Sequence, residues 1–233
     1  TFGESFLSKR FKNFIRKNPP RRHWHIGAGT HLIDSFQSLT LSVPVDPAFF
    51  FGKMLEDIDY KRFLEQNEAT NDSYKQEWLK DEYLAARIVS EQINKNLTLL
   101  DDLSIIYYLI SELPEATFLH LGNSMPVRHA NLLRRLGLRQ NVWANRGTSG
   151  IDGCVSTAIG CALASSKPVC LIVGDVSFLY DRNGFLLDNF PQNLKIVVLN
   201  NGGGNIFSLI EGPRDQPELG RVFETRHHFT AKA

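Results

Sequence analysis

From Phe118 to Leu199 the chain alternates short apolar runs with segments of helical period, and that alternation leaves few folds open. Strands are predicted at Phe118–Leu121, near Val142, at Val169–Val173 and at Leu194–Leu199. Helices are predicted between them at Met125–Leu133, Ile151–Leu163 and Leu179–Phe190. Parallel strands need a crossover of a dozen or more residues, usually a helix, so the pattern predicts an α/β chain with a parallel sheet wound on both faces. The segment Ile151–Leu163 is small or apolar almost all round, which predicts burial at an interface between domains or subunits.

Upstream, apolar side chains at Phe6, Leu7, Phe11, Phe14 and Ile15 follow a helical period, and His23–Gly27 and Leu39–Val43 read as strands. Asp46-Pro47 opens a further helix. The stretch Gln66–Ser73 has the most linker-like composition in the chain. A domain boundary is expected there, dividing residues 1–70 from 71–233. Beyond it, Trp78, Ala85, Val89 and Ile93 fall on one side of a long helix, and Leu103, Ile106, Tyr107 and Ile110 on one side of a second.

Composition narrows the function. With 26 basic against 25 acidic residues the net charge is +1, which gives no electrostatic footprint for nucleic acid or an anionic membrane. No apolar run approaches the roughly 18 residues of a membrane span, and the first residues lack a signal-peptide pattern, so a cytoplasmic location is expected. Cys154, Cys161 and Cys170 are odd in number and lack a C-x-x-C spacing, and read as reduced core thiols. His23 and His25 share one face of a strand, but with no third ligand nearby they read as strand packing. The chain starts at Thr1 and its last segment has no closing helix, so it reads as an excised piece.

The polar residues at the ends of two strands carry the chemistry. Gly174-Asp175-Val176-Ser177 follows one apolar run, and Asn200-Asn201 ends the next. In an open parallel sheet, ligands collect outside the carboxyl ends of the strands, so Asp175 and Asn201 can face one ligand. Mg²⁺ takes hard oxygen ligands and completes its shell with phosphate oxygens and water. Asp175 offers a carboxylate, Asn201 an amide oxygen, and Gly203 a main-chain carbonyl that no side chain obstructs. Separately, Asp175 reads as a helix cap and Asn-Gly as a turn; together they read as a divalent metal holding a diphosphate.

That pairing resembles the thiamin-diphosphate signature. More specifically, Gly122-Asn123-Ser124 with Arg128, Asn145-Arg146-Gly147-Thr148-Ser149-Gly150-Ile151-Asp152-Gly153, and Gly203-Gly204-Asn205-Ile206-Phe207-Ser208 resemble the 2-succinyl-5-enolpyruvyl-6-hydroxy-3-cyclohexene-1-carboxylate (SEPHCHC) synthases of menaquinone biosynthesis. The resemblance extends to Gly3–Arg10, similar to part of that family's Rossmann-like central domain. It implies an incomplete piece: the end of the central domain and most of the diphosphate-binding domain. Gly202 departs from the family pattern, where Asn is expected.

The resemblance implies a homodimeric or homotetrameric transferase with active sites between subunits. It would decarboxylate 2-oxoglutarate and add the succinyl semialdehyde unit to isochorismate. It implies thiamin diphosphate held by Gly174, Asp175, Val176, Ser177, Asn201, Gly203, Gly204 and Ile151, with Mg²⁺ or Mn²⁺ on Asp175, Asn201 and the Gly203 carbonyl. Ser177 is expected to donate to the diphosphate. The polyanionic substrates would be met by Arg128, Arg146, Lys9 and Arg10, with Asn123, Ser124, Ile206 and Phe207 shaping the pocket. Ser124 can equally cap its helix, and Ile206 can equally be core. The activating Glu of the family belongs to a domain outside this chain, so no residue here takes that role.

The alternatives are another thiamin-diphosphate-dependent 2-oxoacid decarboxylase or acetolactate-synthase-like enzyme, and a non-catalytic nucleotide-binding α/β module. Gly27-Ala28-Gly29 begins a dinucleotide fingerprint but lacks its third glycine, and Gly147-Thr148-Ser149-Gly150-Ile151 fails the G-x-S-x-G of a serine hydrolase.

Overall fold

The computed structural model describes residues 1–3, 8–29, 34–57, 60–95, 100–133 and 139–230. Two compact units are delimited, Thr1–Lys80 and Asp81–Ala233.

In the first unit, Ser8 Oγ accepts from the Phe11 amide at 3.1 Å and starts helix α1 (Lys9–Lys17). Phe6 and Leu7, the first apolar positions expected on this helix, lie outside the described residues. Strands β1 (Trp24–Ile26) and β2 (Leu41–Val43) pair in parallel, with His25 opposite Ser42. His23 is buried beside β1, its ring nitrogens 3.0 Å from Ser38 Oγ and 2.9 Å from Thr1 Oγ1. Desolvation lowers its pKa, as befits a packed imidazole. Helix α2 (Pro47–Asp57) opens at Asp46, whose Oδ1 accepts from the amides of Ala48 and Phe49.

Helix α3 (Tyr60–Lys95) runs unbroken through the stretch that reads as a linker. From Lys53 to Lys95 there is neither Gly nor Pro, and Glu, Gln, Lys and Ala abound, so the residue types there favour a helix over a loop. Val89 and Ile93 pack into the core at its end, whereas Trp78 and Ala85, expected on the same buried side, are exposed.

The second unit holds a four-stranded parallel sheet. Its strands are β3 (Phe118–Leu121), β4 (Asn141–Trp143), β5 (Val169–Gly174) and β6 (Leu194–Leu199), in the order β4-β3-β5-β6. Alternation along the strands sends side chains to opposite faces. Leu119, Leu121, Cys170 and Ile172 join Ile93 of α3, Ile106 and Ile110 of α4 (Asp102–Glu112), and Ala130 and Leu133 of α5 (Met125–Leu133). Val169, Leu171 and Val173 face Val155, Ala158, Ile159 and Ala162 of α6 (Cys154–Ala164). The sheet is thus covered on both faces, as the alternation implied. Helix α6 buries only one side, since Ser156, Thr157, Gly160 and Leu163 are exposed. The three cysteines are free, and burial raises the Cys170 thiol to about 11.

The expected helix at Leu179–Phe190 does not form. Helix α7 (Asp175–Tyr180) is short, and a 3₁₀ turn, Arg182–Phe185, follows. Asp181 explains the break: its carboxylate accepts from the Ser156 amide and hydroxyl, both at 2.6 Å, and so binds the chain to α6. Phe178, Phe185 and Phe190 then pack as a ring cluster on that side.

Strand order sets where a ligand can sit. From β3 the chain crosses to β4 on one side, then through α6 to β5 on the other, so the winding reverses between β3 and β5. The carboxyl ends of the two strands diverge there into a crevice. Gly122 closes their approach: a Cβ on it would lie 3.1 Å from Val173 Cα.

Candidate functional site at the carboxyl ends of the sheet

A cavity of about 490 Å³ opens at this switch point, lined entirely from the second unit. It is large enough for a cofactor-sized ligand. Asn123, Ser124, Arg128, Arg146 and Ile151 line it from the β3 and β4 side. Gly174, Asp175, Val176 and Ser177 line it from the end of β5. Asn201, Gly203, Gly204, Ile206 and Phe207 line it from the loop after β6. Lys9 and Arg10 are not part of this lining; they sit exposed on the first turn of α1 in the first unit.

Asp175 is the hub. It is 5 % exposed; Oδ1 accepts from the Val176 amide at 2.7 Å, and Oδ2 from the amides of Gly202 and Gly203 at 2.8 and 3.0 Å. The carboxylate therefore ties the end of β5 to the turn after β6. Asn201 is exposed into the cavity and its amide makes no hydrogen bond among the described residues. Gly203 is buried with φ +154°, and a Cβ there would lie 2.5 Å from the Glu224 carbonyl oxygen. Gly203→Ala should therefore lower stability by about 1–3 kcal/mol, read as a fall in the chemical-denaturation midpoint; an unchanged midpoint would show that the turn relaxes freely.

These groups fit a hard cation. Among the described residues, Asp175 Oδ1 has one amide partner and keeps acceptor capacity, Asn201 has an uncommitted amide oxygen, and the Gly203 carbonyl accepts the Asn205 amide alone, at 3.1 Å. Among the described residues no three His, Cys, Asp or Glu side chains gather as a metal cage. An ion here would have to fill its shell with ligand phosphate oxygens and water, the habit of Mg²⁺.

The opposite wall is cationic. Asn123 is fully buried: its Nδ2 donates to the carbonyls of Asn145 and Gly150, and its Oδ1 accepts from Arg146 Nη1 at 2.7 Å. Arg128 Nη1 donates to the Ser124 carbonyl at 2.6 Å, and Ser124 takes a left-handed backbone with φ +74°. Burial, and then the Arg146 charge, lower the Arg128 pKa. Two cations held together and partly desolvated gain from an anionic ligand between them.

Other expectations meet a different arrangement. Ser177 is buried and its hydroxyl donates to the Ile151 carbonyl, so its proton ties the Ile151 loop to α7. Ile206 and Phe207 lie on the 3₁₀ turn Asn205–Leu209, and the Phe207 ring packs 5.7 Å from Phe223. Tyr180, Ile210, Val222 and Phe223 add apolar lining that sequence reading did not single out, and Asp102 adds an acid. Asp102 adjoins the N-cap Asp101 of α4, and nothing in its local sequence distinguishes it from a capping residue.

No family model matches the chain. Its similarity to curated proteins is extensive. It is 38% identical over 232 residues to a 2-succinyl-5-enolpyruvyl-6-hydroxy-3-cyclohexene-1-carboxylate synthase of Cytophaga hutchinsonii, covering 100% of this chain and 40% of that protein. The synthase of the same name from Flavobacterium johnsoniae is 36% identical over 234 residues, with the same coverage of both chains. That of Desulfotalea psychrophila is 33% identical over 228 residues, covering 97% of this chain and 38% of its own length. The chain thus spans about two fifths of the length of the relatives it matches. Aligned over its whole length and built on a parallel α/β sheet, the chain is similar to a two-fifths portion of SEPHCHC synthases.

Proposed function

We propose that, in a protein of its relatives' full length, this chain forms the diphosphate-binding half of a transferase dependent on thiamin diphosphate and Mg²⁺ or Mn²⁺. The reaction is decarboxylation of 2-oxoglutarate and addition of the succinyl semialdehyde unit to isochorismate, giving SEPHCHC in menaquinone biosynthesis. The observation that carries the reading is the single cavity lined by Asp175, Asn201 and Gly203 on one wall and by Arg128 and Arg146 on the other. The enzyme would be cytoplasmic and a homodimer or homotetramer with active sites between subunits. Among the described residues no helix is long and apolar enough to cross a membrane.

The chain's own residues divide the work. Asp175, Asn201 and the Gly203 carbonyl would hold the cation that neutralises the diphosphate. Gly174, Val176 and Gly204 would let the backbone approach it, and Ile151 would support the cofactor from the β4 side. Bound thiamin diphosphate supplies the electron sink that decarboxylation of a 2-oxoacid needs. Arg128 and Arg146 would anchor substrate carboxylates, their planar forks giving paired hydrogen bonds. Asn123 holds Arg146 by its Oδ1, and Ser124 holds Arg128 by its carbonyl, so the two guanidinium groups are oriented before substrate arrives. Ile206 and Phe207 would exclude water beside them. Lys9 and Arg10 remain candidates for a further basic pair from the central domain. We place the division between the two domains near residue 70.

Calorimetric titration tests the reading. The protein at its relatives' full length should bind thiamin diphosphate tightly only with Mg²⁺ or Mn²⁺ present, and should consume 2-oxoglutarate in step with isochorismate. The 233-residue chain alone should bind weakly or undetectably. Metal-independent binding, or turnover of pyruvate in preference to 2-oxoglutarate, would sink it.

A further inference from the structure

The segment at residues 224–229 folds back along the turn that carries the candidate metal ligands. The Gly204 amide donates to the Glu224 carbonyl at 2.5 Å, the His227 amide to the Gly202 carbonyl at 3.1 Å, and Asn200 Nδ2 to the Phe229 carbonyl at 3.0 Å. This strap carries a side chain to Asp175. His227 Nε2 lies 3.2 Å from Asp175 Oδ2, and both side chains are less than a tenth exposed, at 8 and 6 %.

The proton on the imidazole can be located. Nδ1 accepts the Phe229 amide at 3.2 Å, so in the neutral ring the hydrogen is on Nε2, the nitrogen that faces the carboxylate. The pair is close but out of line for a hydrogen bond, and Nε2 has no other partner among the described residues. A buried N–H left unpaired is rare, and Oδ2, 3.2 Å away, is an acceptor at hydrogen-bonding distance. That oxygen already takes the two glycine amides, while Oδ1 takes one amide among the described residues. The turn thus occupies Oδ2, the strap sets His227 Nε2 beside it, and Oδ1 is the oxygen with room for a cation.

We propose that His227 is a positioning residue for the cation: its Nε2–H holds Oδ2 of Asp175 so that Oδ1 is presented to a divalent metal. The inference rests on the reading above, in which Asp175 binds that metal. Partners of this kind, one bond behind the ligand, fix its orientation, and their loss costs about 10–100-fold in metal affinity.

The test uses the protein at its relatives' full length with thiamin diphosphate, and Mn²⁺ as the probe, followed by its electron paramagnetic resonance signal so that turnover is not the readout. His227→Leu keeps the volume and removes the donor, and should weaken Mn²⁺ binding about 10–100-fold. His227→Gln places an amide nitrogen near Nε2 and should restore most of the affinity. His227→Asn reaches only the Nδ1 position and should bind as poorly as His227→Leu. If His227→Leu fails to fold, the difference between Gln and Asn carries the test. Equal affinities for Gln and Asn, or wild-type affinity for Leu, would overturn the role of His227. Asp175→Asn separates the two claims. If it loses Mn²⁺ while His227→Leu does not, only the positioning role falls; if it binds as wild type, the metal assignment falls as well.

Discussion

Asp175→Ala should abolish metal-dependent binding of thiamin diphosphate by the protein at its relatives' full length. Two losses combine. The cation loses its carboxylate ligand, so the diphosphate charge would be left to water, Asn201 and the Gly203 carbonyl. The turn after β6 also loses its anchor, because the amides of Gly202 and Gly203 and the ring of His227 all converge on Oδ2. Hydrogen bonds to a charged group are worth about 1.5–3 kcal/mol each, and buried donors left without acceptors add a penalty of about 1–3 kcal/mol. The Asn201–Gly204 turn should loosen along with the metal site.

The two losses can be read apart. Titration of the cofactor at fixed Mg²⁺ should show affinity falling by at least about 100-fold, the upper end of what loss of a partner behind a metal ligand costs. Thermal unfolding without metal or cofactor should show a lower midpoint, since the anchor matters even in the empty site. Asp175→Asn keeps one oxygen for the glycine amides, and should recover much of the midpoint while still failing to bind metal well. Cofactor affinity unchanged in Asp175→Ala would remove the metal assignment, whatever the thermal data show.

What the sequence made legible follows from the range of the interactions involved. Strands β3 and β5 and helix α5 appear at or within a residue of their expected bounds, because local apolar periodicity is also what packs them against hydrophobic neighbours on each sheet face. The pairing of Asp175 with the turn at Asn201 was legible because parallel winding brings all strand ends to one edge. Contacts that join distant segments were not legible. Asp181 ends α7 by bonding Ser156, 25 residues away, and no local pattern announces that. The strap at residues 224–229 has neither helical nor strand period, and its register comes from backbone bonds to Gly202 and Gly204. The stretch Gln66–Ser73 shows that composition does not fix conformation: its polarity is that of a linker, while its helix formers keep α3 continuous.

Arg146→Ala should impair use of substrate while leaving cofactor affinity nearly intact, the converse of the Asp175 result. Its guanidinium is held by Asn123 Oδ1, on the opposite cavity wall from the metal turn. Asn123 is itself fixed by the carbonyls of Asn145 and Gly150, so truncation leaves one buried amide oxygen unpaired and the loop otherwise tied. A lost charge-assisted contact to a carboxylate is worth about 1.5–3 kcal/mol, which predicts a fall in kcat/KM on the order of 10- to 100-fold. Arg146→Lys should recover little, because an ammonium cannot both reach Asn123 and offer a planar fork to a carboxylate. Steady-state kinetics with each substrate varied in turn will show which carboxylate Arg146 meets, through the substrate whose KM rises. If cofactor affinity falls and neither KM moves, Arg146 belongs to the cofactor wall, and the substrate anchor must be sought at Arg128.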